Sequence, residues 1–172
     1  MMGKRSDFTR RPMDAYQTID PRAVEILAPH LQGVETFAEP CAGEGRLVAQ
    51  LEGIGLKCEW YSDLTEGVDA LDTFMPPVGA IITNPPWTRD ILHRMIVHFQ
   101  RQAPTWLLFD ADWAHTKQAA PYLPQCSNIV AVGRLKWIEG SPHCGKDNVA
   151  WYRFHSQHVD GPKFIGHKLE AA

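Results

Sequence analysis

Asn84-Pro85-Pro86-Trp87 is the stretch of this chain whose residue types best suit chemistry. It follows the apolar run Gly79-Ala80-Ile81-Ile82-Thr83, which Pro76-Pro77 precedes. The pattern predicts a short buried strand with an abrupt end, because two prolines cannot extend a ladder and fix the backbone just beyond it. An amide and an indole would then stand rigidly at a strand's carboxyl end, where open α/β sheets bind their ligands. The amide oxygen can accept from an amino group, and the indole is a plate on which a base can stack. The set suits chemistry on an exocyclic nitrogen. Asn-Pro-Pro is also an ordinary turn, so the reading needs a second motif.

That motif is Glu39-Pro40-Cys41-Ala42-Gly43-Glu44-Gly45, set between the apolar run Val34-Glu35-Thr36-Phe37-Ala38 and the helical pattern Arg46-Leu47-Val48-Ala49-Gln50-Leu51. Strand, glycine turn and helix form the context of a nucleotide-type ligand loop, since glycines allow positive φ and close backbone approach. No Gly-Lys-Ser/Thr follows, and the Gly-x-Gly-x-x-Gly spacing is absent, which excludes the two common phosphate loops. Glu39 is an acid where a pyrophosphate site would avoid one. A cationic ligand, such as a sulfonium with a free α-amino group, fits better.

Together the two motifs resemble class I S-adenosylmethionine-dependent methyltransferases, and among these the small N6-adenine DNA methyltransferases of phages and prophages. The resemblance runs from about Asp14 to Phe154. It implies a Rossmann-like, mostly parallel sheet with a C-terminal antiparallel strand pair, S-adenosylmethionine as cofactor and adenine-containing DNA as partner. Asn84, Pro85, Pro86 and Trp87 would be catalytic, with Asn84 also bordering the cofactor. Glu39, Pro40, Ala42, Gly43 and Gly45 would form the cofactor loop. Tyr16 and Thr18 resemble a Tyr-x-Thr-Pro element that holds the cofactor's carboxylate, although Ile19 stands where the family has proline. Asp63, eighteen positions after Gly45, would grip the ribose. Leu64 would pack on the cofactor's adenine, and Asp69 would accept from its amino group. The same motif type serves enzymes acting on RNA guanine or on a protein glutamine amide. A non-catalytic cofactor- or nucleic-acid-binding subunit is the alternative from another class.

These residues must be positioned by an alternation of elements. Asp20-Pro21 predicts a helix start, with Ala23, Val24, Leu27 and Leu31 on one face and Gly33 as its stop. Strands are expected near 34–38, 56–62, 79–83 and 105–110, and helices near 45–53, 88–102 and 114–121. The segments 128–138 and 148–154 alternate like two further strands.

With 172 residues, 44% hydrophobic and 22% charged, the chain suits one globular domain. The expected organisation is a flexible basic arm at 1–12 and a single domain at 13–172. No apolar run approaches the ~20 residues of a membrane span, and no signal-peptide core follows Lys4-Arg5. That leads to an expectation of a cytoplasmic protein without a membrane partner. Cys41, Cys58, Cys126 and Cys144 form no Cys-x-x-Cys pair, so neither a metal site nor a disulfide framework is expected.

A net charge of −3 is low for a nucleic-acid binder, but it is unevenly spread. Residues 1–12 and 131–168 each carry an excess of three positive charges. Arg10, Arg11, Arg134, Lys136, His143 and Lys146 are therefore the candidate nucleic-acid contacts. The loop from Glu139 to Asp147 is the candidate for sequence choice.

Overall fold

A computed structural model describes residues 16–170. The expected arm at 1–12, with Arg10 and Arg11, lies outside them, as does Asp14. Seven strands form a single sheet in the order β2-β1-β3-β4-β6-β5-β7. They are β1 (Thr36–Glu39), β2 (Lys57–Tyr61), β3 (Ala80–Thr83), β4 (Thr105–Asp110), β5 (Cys126–Gly133), β6 (Val149–Phe154) and β7 (Lys163–Ile165). The first four pair in parallel, and β6 is antiparallel to both β4 and β5. The expected mixed sheet with a terminal antiparallel pair is therefore present.

Period-two alternation divides the strands between two cores. Phe37, Ile82, Trp106 and Leu108 point to the face covered by α1 (Arg22–Leu27) and α2 (Arg46–Gly53). Ala38, Ile81, Leu107 and Phe109 point to the opposite face, which α3 (Arg89–Gln100) covers with Leu92, Met95, Ile96 and Phe99. The chain leaves β1 for β2 on one side and returns to β3 on the other. The crevice at the carboxyl ends of β1 and β3 is thus the switch point of the sheet, where such folds bind ligands.

Several expected elements are corrected. The first helix stops at Leu27 and continues as a 3-10 turn over Ala28–His30, because Pro29 lacks the N–H that another α-turn requires. Gly33 forms a later turn at φ +80°. The expected helix at 114–121 is instead two short 3-10 segments, Ala111–His115 and Lys117–Ala119, which Pro121 closes off. The expected strand 128–138 begins at Cys126 and ends at Gly133, whose φ of +91° turns the chain out of the ladder. Between β2 and β3, which carry Leu64 and Asp69 on their connection, the chain forms only 3-10 turns, at Leu64–Glu66 and Ala70–Asp72. The pattern gave no warning of β7, whose three residues pair with β5.

Candidate functional site

Glu39 ends β1 and is 1% exposed. Its Oε1 accepts from the Cys41 N–H at 2.9 Å. Burial pushes its carboxyl up to about 8, and the negative charge of Asp63 adds to the shift; the Cys41 amide and the adjacent Thr83 side chain oppose it. A ligand that brings positive charge beside this carboxyl would favour its ionised form. The loop then turns at Gly43 (φ +54°) and Gly45 (φ +81°), and Gly45 is the left-handed N-cap of α2. A side chain on Gly43 would collide with Gln17, whose Oε1 accepts from the Glu44 N–H at 3.3 Å.

Asp63, past the end of β2, clamps this loop. Its Oδ2 accepts from the Gly43 N–H at 2.9 Å, and its Oδ1 accepts from the Thr65 N–H at 3.0 Å and hydroxyl at 2.7 Å. Burial alone would raise this carboxyl, but those bonds hold it below its ordinary value. The ribose grip expected of both oxygens would share them with these partners. Leu64 is 52% exposed beside it. Asp69 caps the next turn through Leu71 N–H at 2.9 Å.

Asn84 follows β3. Its Nδ2 donates to the Tyr16 carbonyl at 3.2 Å, and the Trp87 indole N–H is shared between Asn84 Oδ1 at 3.3 Å and the Leu108 carbonyl at 3.2 Å. These bonds fix the amide with its oxygen toward the indole. Pro85 is buried, Pro86 and Trp87 are half-buried, and Trp87 packs against both cores.

Polar atoms that are buried without a partner show whether a ligand fits. Several occur among the described residues, and three of them, Thr18 Oγ1, Gln50 Oε1 and Ser62 Oγ, belong to segments bordering the glycine loop. Ser62 exchanges backbone bonds with Glu39 and Ala42, and Gln50 Nε2 donates to the Thr18 carbonyl. A ligand with an ammonium and a carboxylate would meet the acid and the unpartnered hydroxyls here. The buried Pro40 and Ala42 line the same turn. No group of three His, Cys, Asp or Glu is placed to hold a metal ion among the described residues.

Four contributing residues were missed from sequence. Arg89 Nη2 meets Asp110 Oδ2 at 2.6 Å, joining the start of α3 to the end of β4. Trp137 stands edge-on to Trp87, with centroids 5.9 Å apart and planes at 86°. Gln17 covers Gly43. An acid ending the apolar run Trp106–Phe109 was a readable signal for Asp110, whereas Trp137 and Gln17 belong to non-local contacts that spacing does not reveal.

Arg134, Lys136, His143 and Lys146 lie in the loop between β5 and β6. It is at the same edge as the site, because β5 runs in the direction of β4. The first three are exposed and Lys146 is half-buried. The loop is held down: Asp20 accepts from Lys136 N–H at 3.0 Å, Arg22 donates to the Arg134 carbonyl at 2.9 Å, and Arg46 pairs with Glu139 at 2.8 Å.

The fold is that of class I methyltransferases. A modification subunit assigned to a type I restriction enzyme of Vibrio vulnificus superposes with a TM-score of 0.58 at 11% identity over 90% of this chain. A protein of Listeria monocytogenes assigned as a class I S-adenosylmethionine-dependent methyltransferase gives 0.58 at 11% over 96%. One of Pyrococcus horikoshii assigned as an RNA methyltransferase gives 0.59 at 15% over 92%. The chain spans 47%, 68% and 94% of these three, respectively, and so about half the length of the restriction subunit. No protein-family model and no curated protein matches the sequence.

Proposed function

We propose that this chain is an S-adenosylmethionine-dependent methyltransferase that methylates the exocyclic N6 of adenine in DNA. The observation that carries the reading is the pairing, at one switch point, of an acid-ended glycine loop with an Asn-Pro-Pro-Trp loop. The cofactor supplies an electrophilic methyl group on a sulfonium. Glu39 would balance its positive charge, the Thr18 hydroxyl would bind its carboxylate, and Asp63 would take a ribose hydroxyl on the lone pair that Gly43 leaves free. Leu64 and Asp69 would receive its adenine.

On the acceptor side, the target base must leave its stack, at a cost of a few kcal/mol. Trp87 would offer it a face, worth about 1–3 kcal/mol. Asn84 Oδ1 and the Pro85 carbonyl would accept the two amine protons and aim the nitrogen lone pair at the methyl group. Positive charge builds on that nitrogen during attack, so fixed acceptor dipoles supply the main help and no strong base is required. The β5–β6 loop, with Arg134, Lys136, His143 and Lys146, would meet the nucleic acid, together with Arg10 and Arg11.

Incubation of the purified chain with labelled methyl donor and separate DNA, RNA and protein pools tests the reading. Label in DNA that digests to N6-methyladenine supports it. Label confined to RNA or protein moves the acceptor to one of the alternatives. No label in any pool, with no cofactor binding up to millimolar concentration in chelator, overturns it.

A further inference from the structure

On the face of the sheet opposite α1 and α2, the outer side of α3 borders a groove of about 430 Å³ that the chemistry above does not use. Arg94 and Arg101 are seven residues apart, so they share one line of the helix at a spacing of about 10 Å. Neither has an ion pair with another described residue, and both are exposed. Val97 and His98 lie between them, and Asp90 is the one acid in the lining.

The walls are fixed. His93 stacks on Tyr122 with centroids 4.6 Å apart and accepts the Trp113 indole N–H at 3.0 Å. On the other side His98 Nε2 is 2.8 Å from the Thr73 carbonyl, and Met75 N–H donates to Gln102 at 2.8 Å. Anchored at both neighbours, Phe74 is left 81% exposed, edge-on to His98 with centroids 5.3 Å apart. A phenyl ring in water can stack on a partner with an apolar face, and the adjacent arginines can pair with a repeating anion. Single-stranded nucleic acid offers both, by base stacking and phosphate.

We infer that the α3 groove holds a single nucleic-acid strand, with phosphates at Arg94 and Arg101 and a base on Phe74. The inference rests on the reading of the chain as a nucleic-acid methyltransferase. Because α3 begins directly after Asn84–Trp87, the groove would support the strand that continues from a base presented at that loop.

The test is binding of a fluorescent single-stranded oligonucleotide to the full chain across 50–200 mM salt. Arg94→Ser with Arg101→Ser should weaken binding about tenfold or more at low salt and flatten the log K against log salt slope by about 1.4, two phosphates at about 0.7 each. Phe74→Ala should weaken binding with the slope unchanged. Unaltered binding in both variants would overturn the inference, as would equal displacement by poly-glutamate, which would make the groove a site for acidic protein. Calorimetry of the same variants with S-adenosylmethionine keeps the two proposals apart. Cofactor affinity should be unchanged, and an oligonucleotide that binds as expected to a chain with no cofactor affinity would remove the enzyme while leaving the groove.

Discussion

At the scale of the residue, Asn84 is held by two hydrogen bonds that share no partner with the glycine loop. Replacing it should therefore separate chemistry from cofactor binding. Asn84→Ala is expected to lower methyl transfer about 10²–10³-fold, the usual cost of losing one preorganised polar group, and to leave cofactor affinity within a few fold. Single-turnover transfer assays and calorimetry on the same preparation check both halves. Trp87 behaves differently, because its indole N–H also bonds the Leu108 carbonyl and its ring packs on both cores. Trp87→Ala should lose stability as well as activity, by about 3 kcal/mol or more as large-to-small changes at packed aromatics do. Trp87→Phe should restore most of that stability, read from denaturant midpoints, and retain a stacking face.

At the scale of the element, the glycine loop is shaped by what lies over it. Asp63 ties Gly43 to the turn at Thr65, and Gln17 occupies the space a Cβ on Gly43 would need. Asp63→Ala should thus weaken the cofactor by about 1.5–3 kcal/mol, the usual worth of a charged acceptor, and also loosen the loop. Hydrogen exchange at the Gly43 amide should accelerate in that variant even without cofactor; unchanged exchange would mean that the clamp contributes nothing to the loop.

The strands and the long helix were legible because their signals are local: Ala80–Thr83 is a bounded apolar run, and Ile91, Leu92, Met95, Ile96 and Phe99 follow one helical face. The α3 prediction of 88–102 shrank only to Arg89–Gln100. Reading failed where tertiary contact decides. Segment 114–121 has helix-forming residues but packs as 3-10 turns that seat Trp113 and Ala119, both fully buried, under α3. The Lys163–Ile165 strand exists only because β5 offers an open edge. Likewise the two motif loops were readable from residue types, whereas the Trp87–Trp137 contact joins positions fifty residues apart.

At the scale of the whole molecule, two carboxyls give stability a pH profile with opposing slopes. Asp20 is 6% exposed and receives bonds from the Arg22 guanidinium and the Lys136 N–H, joining the start of α1 to the loop after β5. Despite burial, these partners hold its carboxyl down near about 2. A depressed folded value means that its contribution is fully present above the ordinary value of 3.8 and is lost as pH falls toward 2. The contribution is about 1–2 kcal/mol once solvent screening of the half-exposed Arg22 is allowed for.

Glu39 acts in the other direction. Its folded value of about 8 lies above the ordinary 4.5, so between those limits the folded state binds more protons than the unfolded one, and stability falls as pH rises. The slope approaches about 1.4 kcal/mol per pH unit. His93, an acceptor for Trp113 held below its ordinary 6.5 chiefly by burial, has the opposite slope, but only below that value. Between pH 6.5 and 8 the decline should therefore belong to Glu39.

Glu39→Gln isolates it, because an amide oxygen can still accept from Cys41 N–H and the amide keeps the carboxyl's place beside the Thr83 side chain. The variant should be more stable than the native chain at pH 8, with a urea midpoint that stays level from pH 6.5 to 8 while the native midpoint falls. The same change should weaken S-adenosylmethionine, since the cation loses its counter-charge. Binding by the native chain should release a proton near pH 7, visible as a dependence of the calorimetric heat on the ionisation enthalpy of the buffer. Parallel pH profiles for the two proteins would show that Glu39 is already ionised in the free chain, and the acid would then have to bind its ligand without changing its charge.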